Sequence, residues 1–393
     1  MSITIEPDQA AHSALGASAA HRWLNCPGSF RLSRTVPARR GSIYAATGTL
    51  AHSLIEATIH KGPRVLEQIL GSVATVEGYE VEIDEDFVAG ITTMVDYVAQ
   101  DRMGPTYLEQ TVYLDKLFVG RAAPPVRLFG RADVIFLDMM DNTLEVVDYK
   151  NGSGVLVDPA GNPQLLYYAI GAVLFLADEG FPFPGTIKLT VVQPHARDVQ
   201  KIRSTEIDFM DLVLWVEDVL IPGVYACAAP DAPLNAGSWC RFCPASHVCP
   251  VLHDKANQMA KHDFADHTLP VTPTDLADAL NTAVLAETWI DAVRGYAIEQ
   301  LKSQVHIPGW GLGPTRPVRR WVDEVEAENR LLDHGFTPVV IHRNELKSPA
   351  QIEKLVKQSP GVWGELSPLV ENHSSGVKLV RTDNDPRGDF DEC

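Results

Sequence analysis

With 393 residues, 45% of them apolar and 21% charged, the chain can bury a full core, and its composition excludes a disordered or fibrous protein. A net charge of −18 opposes any general attraction to phosphate backbones, so nucleic-acid binding would need a local basic groove or bound metal ions. No apolar run approaches the roughly 20 residues of a membrane span. The first residues lack a basic, apolar leader, which predicts a cytoplasmic protein with no membrane partner.

Residues 1–17 read as a mobile lead. Ser18 is the expected N-cap of a short helix through Leu24, interrupted by Pro27-Gly28. From Thr47 to Ile59, Leu50, Ala51, Leu54, Ile55 and Ala57 recur at helical spacing, and Gly62-Pro63 ends the run. A second helix is expected over about 84–100. The pattern then turns to strands over 107–114, 127–137 and 143–149, with Asp141-Asn142 as the tight turn of a hairpin. Asn162-Pro163 opens an apolar helix to about Ala177. A strand over 187–192, a helix over 210–226 and helices over about 275–303 follow. The expected division is a mobile lead to 17, a main domain over 18–265, a helical and mixed region over 266–380 and an acidic tail over 381–393.

Six cysteines in a chain of this kind point to metal ligation more than to a disulfide framework. Cys240, Cys243 and Cys249 crowd one short loop, and Cys26 is the best fourth ligand. Such a set would bind either an iron–sulfur cluster or zinc, and would staple the start of the chain to its middle. Cys227 and Cys393 read as a core thiol and a tail residue.

A second constellation lies between those ends. Asp133, within Gly130-Arg131-Ala132-Asp133, and Asp148, within Asp148-Tyr149-Lys150, fall on adjacent strands of the hairpin. Two carboxylates on one face there can share a cation. Period two puts Lys150 on the face of Asp148, and a carboxylate in so apolar a strand needs a metal or that lysine. Oxygen ligands select Mg²⁺ or Mn²⁺, and His52 on the early helix could complete the shell. Gln164 and Tyr168, one helical turn apart, can both face the site or a substrate strand. Arg131 could contact phosphate or pair with a carboxylate. Glu56 and Glu109 are second-tier supports for the metal. Taken singly, each residue also has an ordinary reading, as surface charge or as core.

The ordered set resembles the PD-(D/E)xK nuclease superfamily, in particular its RecB/AddB-like iron–sulfur branch. That branch has an early helix His, a Gly-x-x-Asp strand, an Asp/Glu-x-Lys strand, a Gln-x-x-x-Tyr helix, and one upstream with three downstream cysteines. The usual Pro-Asp is absent before Asp133, where the branch commonly carries Gly-Arg-x-Asp. Pro308-Gly309-Trp310, the Trp321-Val-Asp-Glu run, Lys347-Ser348-Pro349-Ala350 and Leu379-Val380…Asp385 resemble the C-terminal region of a phage and prophage family of the same branch.

The resemblance implies an α/β (α+β) restriction-endonuclease-like core, a mixed central sheet flanked by helices, with a small C-terminal unit. It implies a metal-dependent deoxyribonuclease, an exonuclease more than an endonuclease, serving phage DNA recombination, replication or processing in the host cytoplasm. Catalysis would rest on Asp133, Asp148 and Lys150. The metal would be held by His52, Asp133, Asp148 and the main-chain carbonyl of Tyr149. A [4Fe–4S] cluster would sit on Cys26, Cys240, Cys243 and Cys249, with structural Zn²⁺ as the alternative. DNA, and a phage single-strand-binding or recombination protein, are the implied partners. The alternative function is a catalytically silent DNA-end-binding or structural module acting through a partner protein, motivated by the −18 charge and the extra C-terminal unit.

Overall fold

The computed structural model describes residues 3–5, 13–37, 41–100, 103–153, 155–196, 200–265, 272–314, 318–341, 346–357, 360–373 and 377–381. The chain divides into two units, Met1–Trp289 and Ile290–Cys393.

The first unit opens with β1 (Ile3–Ile5), α1 (Ala20–Asn25), α2 (Gly28–Ser33), α3 (Ile43–Lys61) and α4 (Arg64–Ile69). The hairpin β2 (Val73–Val76) and β3 (Tyr79–Glu82) leads to α5 (Glu85–Val98) and to strands β4 (Thr106–Tyr113), β5 (Phe129–Asp138) and β6 (Thr143–Tyr149). Helix α6 (Pro163–Asp178) crosses to β7 (Thr186–Val192) and β8 (Ile202–Asp208). Then come α7 (Phe209–Trp215), a π turn (Val216–Leu220), α8 (Ile221–Ala228), α9 (Pro250–Ala265) and α10 (Pro273–Lys302).

Local chemistry sets most of these ends. Ser42 caps α3 by accepting from Ala45 N, Asp84 caps α5 through Phe87 N, and Asn162 caps α6 with Pro163 at its first turn. Gly62, at φ +89°, stops α3. The π turn precedes Pro222, which has no N–H to continue the α-helical ladder.

The central sheet is mixed, in the order β4-β5-β6-β7-β8, with β6–β7 its one parallel pair. Helices flank both faces. Leu144 and Val146 pack with α6 and α8 residues such as Ala169, Val173 and Val224; Val147 and Tyr149 pack with α3 and α5 residues such as Leu54, Phe87 and Ile91. The strictly alternating β6 therefore divides two apolar layers. A smaller sheet, β1-β2-β3, pairs β1 parallel to β2.

Three expectations change. Ser18 is not an N-cap: it lies inside a 3₁₀ turn, Ala17–Ala19, and α1 begins at Ala20. Burial of Leu15, Ala17, Ala20 and Trp23 fixes that boundary instead of a cap hydroxyl. Within the expected mobile lead, Ile3–Ile5 forms a strand and Leu15 enters the core, while residues 1–2 and 6–12 lie outside the described residues. The unit boundary falls at 289/290 and not at 265/266, because Leu285 and Trp289 of α10 pack beside Cys240, Cys249 and Leu252.

The second unit pairs β9 (Trp310–Pro314) with β12 (Val377–Arg381) and β10 (Val318–Trp321) with β11 (Val370–His373), both antiparallel. Trp321, Ala327, Leu331, Ile341, Ile352, Val356 and Leu366 form its own core. Arg381 ends the last strand, and the expected acidic tail beyond it lies outside the described residues. No helix among the described residues is long and apolar enough to cross a membrane.

Gly28 marks the tightest backbone approach near the chain's start. A Cβ there would lie 2.6 Å from Ala232 O and 2.9 Å from Pro233 O. The backbone of 232–233, held to Gly28 N through Pro233 O, cannot yield cheaply, so Gly28→Ala is expected to destabilise the first unit by about 1–3 kcal/mol. Thermal melting checks this, and an unchanged midpoint would contradict the close packing.

Candidate metal centre and cysteine staple

Register brings three carboxylates into one row. In β4–β5, Leu108 faces Val134 and Gln110 faces Ala132, which sets Glu109 opposite Asp133. In β5–β6 the ladder reaches Val134 opposite Val147, and its next step sets Asp133 against Asp148. The regular alternation breaks at this row. Ile135 and Leu137 pack on the α6 side and Val134 on the α3 side, yet Ala132 returns to the α6 side. Glu109 takes φ +46°, a left-handed conformation that costs a glutamate about 1–2 kcal/mol.

His52 reaches the row from α3. Its Nδ1 lies 3.3 Å from Glu109 Oε1 and 3.5 Å from Asp133 Oδ1, and its ring meets Tyr149 edge-on at 5.7 Å. The ligand atoms of His52, Glu109 and Asp133 all lie within 4.8 Å of one another. Between them, Glu56 and Tyr149 is a cavity of about 10 Å³, room for one water or a bare ion. Asp133 Oδ2 accepts from Tyr149 N at 2.6 Å, and Arg131 Nε pairs with Glu109 Oε2 at 2.9 Å. Two carboxylates and an imidazole suit Mn²⁺ or Mg²⁺, so the donor set fits the implied ion.

Asp148 stands beside this trio with different partners. It is 3% exposed, and Lys150 Nζ approaches its Oδ2 at 2.9 Å. Gln164 bridges the pair, donating from Nε2 to Asp148 Oδ1 at 2.9 Å and accepting from Lys150 Nζ at 3.0 Å. Tyr168 is buried next to Gln164. It fits because residue 130 is glycine: a Cβ there would stand 2.8 Å from Tyr168 Cε1. Both Gln164 and Tyr168 thus face the carboxylates.

Burial opposes charge on His52, but Asp133 and Glu109 outweigh it and raise the imidazole to about 9. Burial likewise raises Asp133, reinforced by Asp148 and Glu109 and opposed by His52. Burial lowers Lys150, and Asp148 more than restores it, so this lysine is held above the ordinary value as an ammonium.

The cysteines lie on two segments that the fold ties together, and their sulfurs are not among the described ligand atoms that gather within 4.8 Å of one another, a set made by His52, Glu109 and Asp133. Cys26, between α1 and α2, and Cys240, Cys243 and Cys249 are buried and free of disulfides. Asn235 N donates to Cys26 Sγ at 3.3 Å and Gly237 N to Cys240 Sγ at 3.4 Å. Asn235 Nδ2 donates to Asn25 O, and Gly28 N to Pro233 O. The segment before the cysteine loop is thereby laced to the start of the chain. Burial raises the Cys240 and Cys249 thiols, with the neighbouring cysteines adding to it. Thiolates here would need a cation, so the donor set fits a thiophilic metal group. Cys227, raised to about 12 by burial, is a core thiol as expected, and Cys393 lies outside the described residues.

Two groups escaped the sequence reading. Glu145, also on β6, is buried and accepts from Tyr97 and Thr190 hydroxyls at 2.6 Å each, with Lys188 at 3.3 Å. A cleft of about 700 Å³ is lined by Tyr44, Thr47, Asp86, Asn151, His195 and Lys201, and Tyr149 OH donates to Asn151 beside it. Period two could have placed Glu145 off the Asp148 face; the cleft's loops carry no sequence signal.

Residues 12–388 match the family described as "Protein of unknown function (DUF2800)", and the chain belongs to that family.

Two measurements test the geometry. A divalent ion must displace the proton that His52 holds up to pH about 9. Mn²⁺ affinity should therefore rise up to roughly tenfold per pH unit between neutrality and 9, and calorimetry finding it flat would exclude His52 as a ligand. Lys150→Met should cost about 3 kcal/mol by leaving Asp148 buried and unpaired. Adding Asp148→Asn should recover most of that loss in denaturant melts.

Proposed function

We propose that this chain is a metal-dependent DNA nuclease, acting as an exonuclease in phage DNA recombination, replication or processing. One observation carries the reading: Glu109, Asp133 and Asp148 stand in one row at the sheet, with His52 at one side and Lys150 at the other. The resemblance to the RecB/AddB-like branch supplies the reaction class. The same proposal includes a [4Fe–4S] cluster on Cys26, Cys240, Cys243 and Cys249, and a phage single-strand-binding or recombination partner in the host cytoplasm.

His52, Asp133 and Glu109 would hold Mg²⁺ or Mn²⁺, joined by Asp148 and the Tyr149 carbonyl. When bound, the ion supplies charge neutralisation at the phosphate. Asp148 can join only by loosening its contacts to Lys150 and Gln164, and that frees Lys150 Nζ to donate toward the phosphate oxygens or the attacking water. As an ammonium, Lys150 supports the developing negative charge instead of accepting a proton. Gln164 sets the positions of Asp148 and Lys150, and Tyr168 backs Gln164. Arg131, tied to Glu109, keeps that carboxylate aimed.

The test is digestion of end-labelled linear single- and double-stranded DNA with Mn²⁺. Shortening from an end is expected; Asp133→Ala and Asp148→Asn should abolish it without loss of iron. Lys150→Met should cut the maximal rate about 10²-fold with DNA binding nearly kept, and His52→Ala should be milder. Unchanged rates in both aspartate variants would put the site elsewhere. No metal-dependent cleavage of any DNA form would favour the silent DNA-end-binding or structural module, which the −18 charge motivates.

A further inference from the structure

Buried donors without partners gather around Cys26. Arg22 Nε, Ser29 Oγ and Ser33 Oγ are closed off from solvent and bonded to nothing among the described residues. Ser29 is the most enclosed, at 2% exposure. Helical hydroxyls ordinarily satisfy themselves on the carbonyl one turn back. Thr47, Thr58 and Thr92 do so here, on Ile43, Leu54 and Val88. For Ser29 that carbonyl belongs to Asn25, and it accepts instead from Asn235 Nδ2 at 2.9 Å.

The direction of the Ser29 face follows from its helix. Residues 29, 32 and 33 fall within about 100° of arc on α2. Leu32 packs against the cluster of Cys240, Cys249 and Leu252, whereas Phe30, on the other flank, enters the main core of the unit. Ser29 N donates to Cys26 O at 2.9 Å, so the serine rides on the turn that begins at the ligand itself. A hydroxyl buried there with no protein acceptor implies an acceptor that arrives with the group the cysteines hold.

We infer that Ser29 Oγ–H donates a hydrogen bond to a sulfur of the iron–sulfur cluster held by Cys26, Cys240, Cys243 and Cys249. The inference rests on the cluster reading above. Ser29 is a positioning and tuning residue. Its bond adds to those from Asn235 N and Gly237 N, and it favours the reduced, more negative state of the cluster. In cluster-free protein the same hydroxyl is unsatisfied and only weakens the fold.

The two states therefore respond to Ser29→Ala with opposite sign. Full-length protein is purified without oxygen, assayed for iron and acid-labile sulfide, and its midpoint potential measured spectroscopically. Ser29→Ala should keep both elements yet shift the reduction equilibrium about tenfold toward the oxidised form, about 59 mV for a one-electron couple. Stripped of metal, the same variant should melt no lower than wild type. Ser29→Thr and Ser29→Val form a size-matched pair should alanine load poorly; threonine should hold the wild-type potential and valine should not. Equal potentials in variants lacking and retaining the hydroxyl overturn the inference while leaving the cluster reading intact. Wild-type protein that holds zinc and no sulfide overturns both.

Discussion

Three carboxylates side by side on neighbouring strands repel one another, and the architecture around them offsets that repulsion. Cations flank the row: Arg131 pairs with Glu109, Lys150 with Asp148, and His52 is shared between Glu109 and Asp133. These positive groups come from different parts of the chain, so the row is tolerable only when α3 and β4 to β6 have all assembled. Uncompensated, a single buried charge of this kind costs several kcal/mol, a large share of a domain's net stability. The row is thus a constraint on the whole first unit. His52 ties α3 to it, and Glu109 joins it from a left-handed backbone conformation.

Much of this was legible in the sequence because it obeys short periods. The hairpin was marked by Asp141-Asn142, and the face shared by Asp148 and Lys150 follows from alternation alone. The helix start at Asn162-Pro163 and the stop at Gly62 are local signals that tertiary packing had no reason to override. Glu109 was different. Its weight comes from the β4–β5 register, a pairing over a long connection that no turn motif specifies, and from a break in alternation that a periodic reading smooths over. Ser18 misled for the opposite reason, since a good cap residue lost to the burial of its apolar neighbours. Strand β8 and the hairpin β2–β3 went unnoticed; Ile202–Asp208 is polar apart from the half-buried Ile202 and Ile207, with little apolar alternation to read.

The start of the chain and the segment before the cysteine loop are held together by protein contacts alone. Cys26 and the loop carrying Cys240 are more than two hundred residues apart, yet Asn235, Pro233 and Pro230 already hold the start of the chain by backbone and side-chain contacts. Most of the loop-closure entropy is lost in forming those contacts, so ligands would be presented in near-final geometry. Leu285 and Trp289 pack against the same loop, which extends the stapled region into α10.

The parallel pairing of β6 and β7 has an electrical consequence. A crossover between parallel strands must return to the end where the first strand began, so α6 makes that return run and starts near the end of β6 that carries Asp148. Its aligned peptide dipoles place a partial positive pole there, with Gln164 in the first turn. Some of the field that steadies Asp148 is therefore a property of the chain's path and would outlast the loss of any single cationic side chain.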